Sequence, residues 1–177
     1  MADDYKDASR KEAEQIKKTL IQLDGLLKSD KLSTVYASDA SELRERVSDL
    51  LKALLRSLEN LAQVDRDDVF KTDPTLAGRR FTLIGHIESA KVEFETEVVP
   101  ALAQLTDQVV EQAKASPPPK LDVSALPPPP SGEKWTVPKV VAAAEQLVEQ
   151  GTKAAKVAGK AYALVKALGL LVGIPIP

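Results

Sequence analysis

Apolar residues recur at three- and four-residue steps through most of the chain, which is the period of an α-helix. From about Asp7 to Lys28 the repeat uses Ala13, Ile16, Leu20, Leu23 and Leu27. A second, stricter repeat uses Leu43, Val47, Leu50, Leu54, Leu58 and Leu61. Asp39 followed by Glu42 has the spacing of a capping box at the start of that second stretch. The pattern therefore predicts two amphipathic helices joined by a connection at 29–38.

A third helix is predicted after an acidic connection at 63–73. Asp73 followed by Pro74 is a typical helix start, with Asp as N-cap and Pro in the first helical position. The apolar face then runs as far as Lys114 through Leu83, Ile84, Ile87, Phe94, Val98, Leu102, Leu105 and Val109. Pro100 lies inside this face and lacks the backbone N–H that an uninterrupted helix needs. We therefore expect the helix either to kink or to split near Val98.

Residues 116–138 contain two proline runs, at 117–119 and 127–130. Such runs favour the extended polyproline II conformation, so the segment is long enough to return along a helix of the length predicted for the third. The runs could also dock into an SH3 or WW groove, but neither has a basic residue suitably placed beside a PxxP pattern. The spacer interpretation is therefore preferred.

The last segment, 139–177, predicts an amphipathic helix rich in Ala, Gly and Lys with an apolar tail. One apolar stripe runs from Val140 to Val172, opposite a polar side that carries lysines. After Lys160 the helix is apolar on almost every side, and such a helix needs burial in protein or lipid. From Ala161 to Ile174 it would rise only about 21 Å, less than the roughly 30 Å hydrocarbon core of a bilayer, so it cannot cross a membrane unaided.

These elements predict an all-α fold, specifically an antiparallel helical bundle. Residues 1–115 would form a three-helix core, 116–138 a proline-rich crossover, and 139–177 a fourth helix that either packs into the bundle or is released from it. Aromatic residues make up only 4% of the chain, so the core must be built from aliphatic side chains, as helical bundles are.

Charge and residue types narrow the function further. Residues 1–115 hold 17 Lys and Arg against 22 Asp and Glu, and residues 116–177 hold 7 against 4, so neither part has the charge of a nucleic-acid binder. The chain has no Cys and one His, and we find no phosphate-binding loop or nucleophile motif. We therefore expect no catalytic site, no metal and no cofactor. No signal peptide is predicted after Met1, so we expect a cytoplasmic protein, with peripheral membrane attachment as the alternative.

Three polar groups are candidate metal-binding or phosphate-binding sites. His86 with Glu93 and Glu97 lacks the Glu-x-x-His pairs of a di-metal bundle, so a solvated flank is the preferred interpretation. The aspartates of the 63–73 connection lack the Gly and Glu of an EF-hand loop. Arg79 and Arg80 could hold a phosphate near a helix start, but pairing with the acidic connection is preferred.

Two functions remain open from the sequence. The first is a non-catalytic interaction module, either a protein-binding adaptor or an effector-associated domain, with a protein partner or self-association. The second is a membrane-binding or membrane-perturbing effector that meets an anionic membrane surface through the C-terminal helix. The candidate membrane or partner face consists of Lys153, Lys156, Lys160, Lys166, Leu164, Leu168, Leu171 and Ile174.

Overall fold

The computed structural model describes the backbone of residues 2–33, 36–115, 124, 126–129, 132 and 134–177, with side chains throughout these ranges except at 2–6, 33 and 37. The helices are α1 (Ala2–Leu27), α2 (Asp30–Ser33), α3 (Ala37–Asp67), α4 (Pro74–Glu93), α5 (Val99–Lys114), α6 (Val137–Lys153) and α7 (Val157–Val172), with a π-helical turn at Phe94–Val98. No strand occurs among the described residues. The all-α prediction is confirmed, but the helices are more numerous than predicted.

The leucine-rich second helix is present as α3 and is longer than predicted at both ends. It begins at Ala37 with Tyr36 as N-cap and without a side-chain capping bond, so the capping box at Asp39 is wrong. At the other end α3 continues to Asp67, because Val64 lies three residues after Leu61 and is buried on the same apolar face. The connection before α3 also contains the short helix α2, which buries Leu32.

The start of α4 is the one predicted. The Asp73 carboxylate accepts hydrogen bonds from the backbone N–H groups of Thr75 and Leu76, and Pro74 occupies the first turn. The interruption expected at Pro100 takes the form of the π-helical turn, which keeps the chain helical between α4 and α5. Pro100 has no backbone N–H, and the wider turn removes the need for the hydrogen bond that it cannot donate. Within the turn the Val99 N–H donates to the Phe94 carbonyl, five residues earlier.

The predicted single C-terminal helix is wrong. It is two helices, α6 and α7, separated by a break at Ala154, Ala155 and Lys156. In one straight helix Gly151 and Ala163 would lie about 18 Å apart. A Cβ placed on Gly151 would instead be 3.0 Å from the Cβ of Ala163, so the chain turns back and α7 packs against α6. A helical period cannot distinguish one long helix from two that bury the same stripe.

The core is a single hydrophobic cluster to which every one of these helices contributes. Within it α7 contacts α1, α5 and α6, and it is the most deeply embedded helix. Gly173, in the left-handed conformation with φ of 71°, ends α7. The residues after it fold back so that Ile176 contacts Gly169, where no side chain would fit. The tail is further held by a hydrogen bond from the Tyr162 hydroxyl to the Pro177 carbonyl.

Candidate functional site

The apolar members of the predicted C-terminal face do not form a surface. Leu164, Leu168 and Leu171 are buried in the core, and Ile174 is half-buried in the returning tail. Its lysines are spread over two helices and the break between them. Lys153 at the end of α6 and Lys156 in the break are exposed, whereas Lys160 and Lys166 are half-buried on α7. The leucines can therefore meet a partner or a membrane only if α7 leaves the core.

Two of these lysines interact within the chain. The Lys153 ammonium lies 2.6 Å from a carboxylate oxygen of Glu149, one turn earlier on α6. The Lys166 ammonium lies 4.9 Å from the centroid of the Tyr162 ring, within the range of a cation–π contact. Among the helices that the structure describes, none combines the length and the apolar character needed to cross a membrane.

A different surface, which the sequence analysis did not single out, lies on α4. We call it the outer face. It faces away from Leu83, Ile87 and Ala90, the apolar residues that α4 buries in the core. Seven residues fall within a sector of about 100° on the helical wheel. All of them are exposed and none is charged: Pro74, Gly78, Phe81, Thr82, Gly85, Ser89 and Val92. The helix therefore has an uncharged side that its own chain does not cover.

Large apolar side chains are exposed mainly on this face and in the connection before α4. Phe81 is 78% exposed and Val92 is 58% exposed. Val69 and Phe70, in the connection before α4, are 71% and 86% exposed. Among the described residues only one further large apolar side chain is exposed to this degree, Ile21 on α1. A lone exposed apolar residue is ordinary, but four of them within 24 residues of the chain are typical of an interaction surface.

The two glycines of the outer face have no role in packing within the chain. A Cβ at Gly78 or at Gly85 would meet no atom within 4 Å. Glycine in the middle of a helix is less stable than alanine by about 0.5–1 kcal/mol. The fold would therefore be served better by alanine at both positions. A missing side chain on an exposed helix does allow another helix to approach the backbone closely.

The charges along the two edges of the outer face differ in their partners. On one edge Lys91 lies 2.9 Å from a Glu12 carboxylate oxygen, and Glu88 accepts a hydrogen bond from Ser9, so this edge is bound to α1. Burial lowers the pKa of Lys91, but the hydrogen bonds and the charge attraction from Glu12 and Glu88 together raise the pKa above its usual value. On the other edge Arg79 and Glu93 are exposed, and neither has an ion-pair partner among the described residues.

The corner before α4 is fixed by a buried ion-pair network. The Arg80 guanidinium donates from Nε to Asp65 at 3.0 Å and from both Nη atoms to Asp68 at 3.4 Å. The hydrogen bond to Asp65 raises the pKa of Arg80 by more than burial lowers it. Asp68 also accepts hydrogen bonds from the backbone N–H groups of Thr72 and Asp73. The predicted pairing of an arginine with the acidic connection is therefore confirmed for Arg80.

The last polar candidate is His86 with Glu93 and Glu97, which lie on α4 and in the π-helical turn. His86 is exposed on α4, and Glu97 in the π-helical turn bonds to Arg46 of α3 at 2.6 Å. Within the described part of the chain no three His, Cys, Asp or Glu side chains are grouped so that they could hold a metal ion. Comparisons with protein-family models, with curated proteins and with solved structures found no match to this chain.

Proposed function

We propose that this protein is a non-catalytic helical interaction module that binds a helix of a protein partner on the outer face of α4. The observation that carries the proposal is the pairing of exposed Phe81 and Val92 with two glycines that the fold itself does not need. The antiparallel arrangement of the long helices and the division of the chain at 115 and 138 belong to the same proposal.

The shape of the outer face suits a helical partner. It runs along α4 as a narrow stripe, and its apolar members Phe81 and Val92 are separated by three helical turns. Such a stripe matches the repeat at which helices present their anchoring side chains. Helices pack with 8–10 Å between their axes, and the distance depends on the side chains at the contact. Gly85, between the two apolar side chains, would allow an approach at the short end of this range.

The non-catalytic part of the proposal is supported by the residue types on the face. Its two hydroxyl groups belong to Thr82 and Ser89, and the Thr82 hydroxyl donates to the Gly78 carbonyl within α4. The single His of the chain, His86, is exposed on α4. A nucleophile, its base and a positioning group are therefore not assembled here.

Site-specific photo-crosslinking in cells tests the binding surface. A photoreactive residue would replace Phe81 or Val92, with exposed Arg56 on α3 as the control position. We expect discrete adducts from the two outer-face positions and none from position 56. The adducts from position 92 should be lost when Gly85→Leu is added, because the bulky side chain would block close approach. Equal yields of adduct at all three positions, or a yield at position 92 that Gly85→Leu leaves unchanged, would show that the outer face is not the binding surface.

A second candidate function is binding to an anionic membrane through α7. It is favoured by the composition of α7, whose only charged residues are Lys160 and Lys166. It is also favoured by two exposed lysines before α7, Lys153 at the end of α6 and Lys156 in the break. Release of α7 from the core would present its leucines to acyl chains while these lysines attract the headgroups. Because the leucines are buried by the chain itself, this function requires a change of conformation.

Vesicle co-sedimentation of the full-length chain tests this second function. If it is correct, the chain should bind anionic vesicles more strongly than neutral ones, and binding should weaken with added salt. Reversal of Lys153, Lys156 and Lys160 to Glu should abolish binding. The matched control reverses three other lysines, Lys11, Lys18 and Lys52, and should retain it. No binding by the unmodified chain, or equal loss in both variants, would exclude the membrane function.

A further inference from the structure

We infer that the partner of the outer face is a second copy of this chain, with α4 packed antiparallel against α4 of that copy about a two-fold axis. The inference rests on the proposed function and names its partner. It is carried by the charges on the unpaired edge of the face and by the spacing of its apolar residues.

The charge argument begins with Arg79 and Glu93. They lie on the same edge of the outer face and are 14 residues apart, which is four helical turns or about 21 Å. A two-fold axis perpendicular to α4 reverses the direction of the helix but places like edges together. Arg79 of each copy then faces Glu93 of the other, so the contact contains two identical ion pairs. Parallel packing would place unlike edges together and would form neither pair.

The apolar residues match in the same arrangement. The midpoint between Arg79 and Glu93 lies at His86, directly after Gly85. The two backbones therefore cross where Gly85 leaves room. Phe81 lies five residues before the midpoint, so it comes opposite the segment of the second copy that presents Ser89 and Val92. Val92, six residues after the midpoint, comes opposite Gly78 and Phe81 of the second copy. One axis thus satisfies both the charges and the apolar contacts.

The edge that is already in use does not oppose this arrangement. Glu88 and Lys91 are held by Ser9 and Glu12 of α1, and together they carry opposite charges. The contact is limited to the exposed side of one helix, so it lies at the small end of specific interfaces. We therefore expect reversible association with a dissociation constant on the order of tens of micromolar.

Sedimentation velocity of the full-length chain over about a hundredfold range of concentration measures this association. We expect a monomer at low concentration and a dimer at high concentration. Gly85→Leu should abolish the dimer, because the added side chain lies at the crossing point. The variant should still fold, since that position opens into empty space, and circular dichroism checks this.

Charge variants test the antiparallel pairing. Arg79→Glu alone and Glu93→Arg alone should each weaken dimerisation by about tenfold. Because of the two-fold axis, either substitution turns both ion pairs of the dimer into pairs of like charge. The double variant Arg79→Glu with Glu93→Arg should restore it to within about threefold. The control swap, Arg56→Glu with Glu59→Arg on α3, should change nothing.

Three outcomes would overturn the inference. A chain that stays monomeric at every concentration has no such dimer, and if Phe81 still crosslinks to another protein the proposed function stands without it. A dimer that persists in Gly85→Leu forms elsewhere. If each single charge variant weakens the dimer and the double variant does not restore it, Arg79 does not pair with Glu93. Loss of both the dimer and the crosslinks would remove the inference and the proposed function together.

Discussion

Three glycines of this fold have different surroundings, which decide whether an added methyl group would raise or lower the stability of the fold. At Gly85 the outer face leaves open space beyond the helix. At Gly169 a Cβ would lie 2.7 Å from the Ile174 carbonyl oxygen and 2.6 Å from the Ile176 side chain. At Gly151 it would touch α7. The first glycine lowers the stability of its helix, whereas the other two permit contacts that the fold uses.

Gly85→Ala is therefore expected to raise the free energy of unfolding by about 0.5–1 kcal/mol, because alanine loses less backbone entropy and meets no neighbour. Gly169→Ala should lower the free energy of unfolding by about 1 kcal/mol or more, since the returning tail must move away. Urea denaturation at a concentration where the chain is monomeric measures both. A destabilised Gly85→Ala would mean that the open space beside it is occupied.

The leucines of α3 offer a second test at the residue scale. Leu54 is fully buried, whereas its neighbour Leu55 is only half-buried and lies outside the main cluster. Leu54→Ala should lower the free energy of unfolding by about 2–5 kcal/mol, through lost apolar burial and a residual cavity. Leu55→Ala should lower it by clearly less. Equal effects in chemical denaturation would show that the two leucines are buried alike.

At the scale of elements, the corner between α3 and α4 depends on one arginine. Arg80 forms ion pairs with Asp65 and Asp68, and Asp68 is 5% exposed. Arg80→Ala should lower the free energy of unfolding by about 3–5 kcal/mol, because it leaves a buried carboxylate without its counter-ion. Arg79→Ala, one residue away and exposed, should change it by less than about 0.5 kcal/mol. Thermal or chemical unfolding of the two variants gives the comparison.

The sequence predicted those elements whose signals are local. The leucine repeat of α3 and the Asp73–Pro74 start of α4 depend on residues within a few positions of each other, and both are present. The break between α6 and α7 was missed because the apolar period continues across it. It arises from the packing of Gly151 against Ala163, which only the folded chain brings together. The Asp39 capping box failed because α3 begins two residues earlier.

The candidate site could be predicted only in part. Leu164, Leu168 and Leu171 stood out by composition, but the period of a helix does not say whether its apolar side meets protein or lipid, and here it meets α1, α5 and α6. The outer face of α4 was visible in principle, since Gly78, Phe81, Gly85 and Val92 share a sector of the helical wheel. It was passed over because the core residues of the same helix gave the stronger pattern.

At the scale of the whole molecule, α7 links parts of the chain that are distant in sequence. Removal of residues 157–177 should therefore expose the inner sides of α1, α5 and α6, abolish cooperative unfolding and cause aggregation. Removal of 174–177 alone should leave a folded chain of somewhat lower stability. Dye binding to exposed apolar surface, together with thermal unfolding, distinguishes the two. A cooperative transition in the longer truncation would show that residues 1–156 form an independent core.

The π-helical turn at Phe94–Val98 has a consequence for how this protein can change over evolutionary time. It takes up an extra residue, so the apolar face of α5 is offset around the helix axis from that of α4. α4 packs chiefly on α1 and α3, whereas α5 packs chiefly on α6 and α7. Substitutions at exposed positions of α4 can therefore accumulate without disturbing the contacts of α5 with α6 and α7. The segment that carries the proposed binding surface can diversify while the segment that packs against α6 and α7 stays constant.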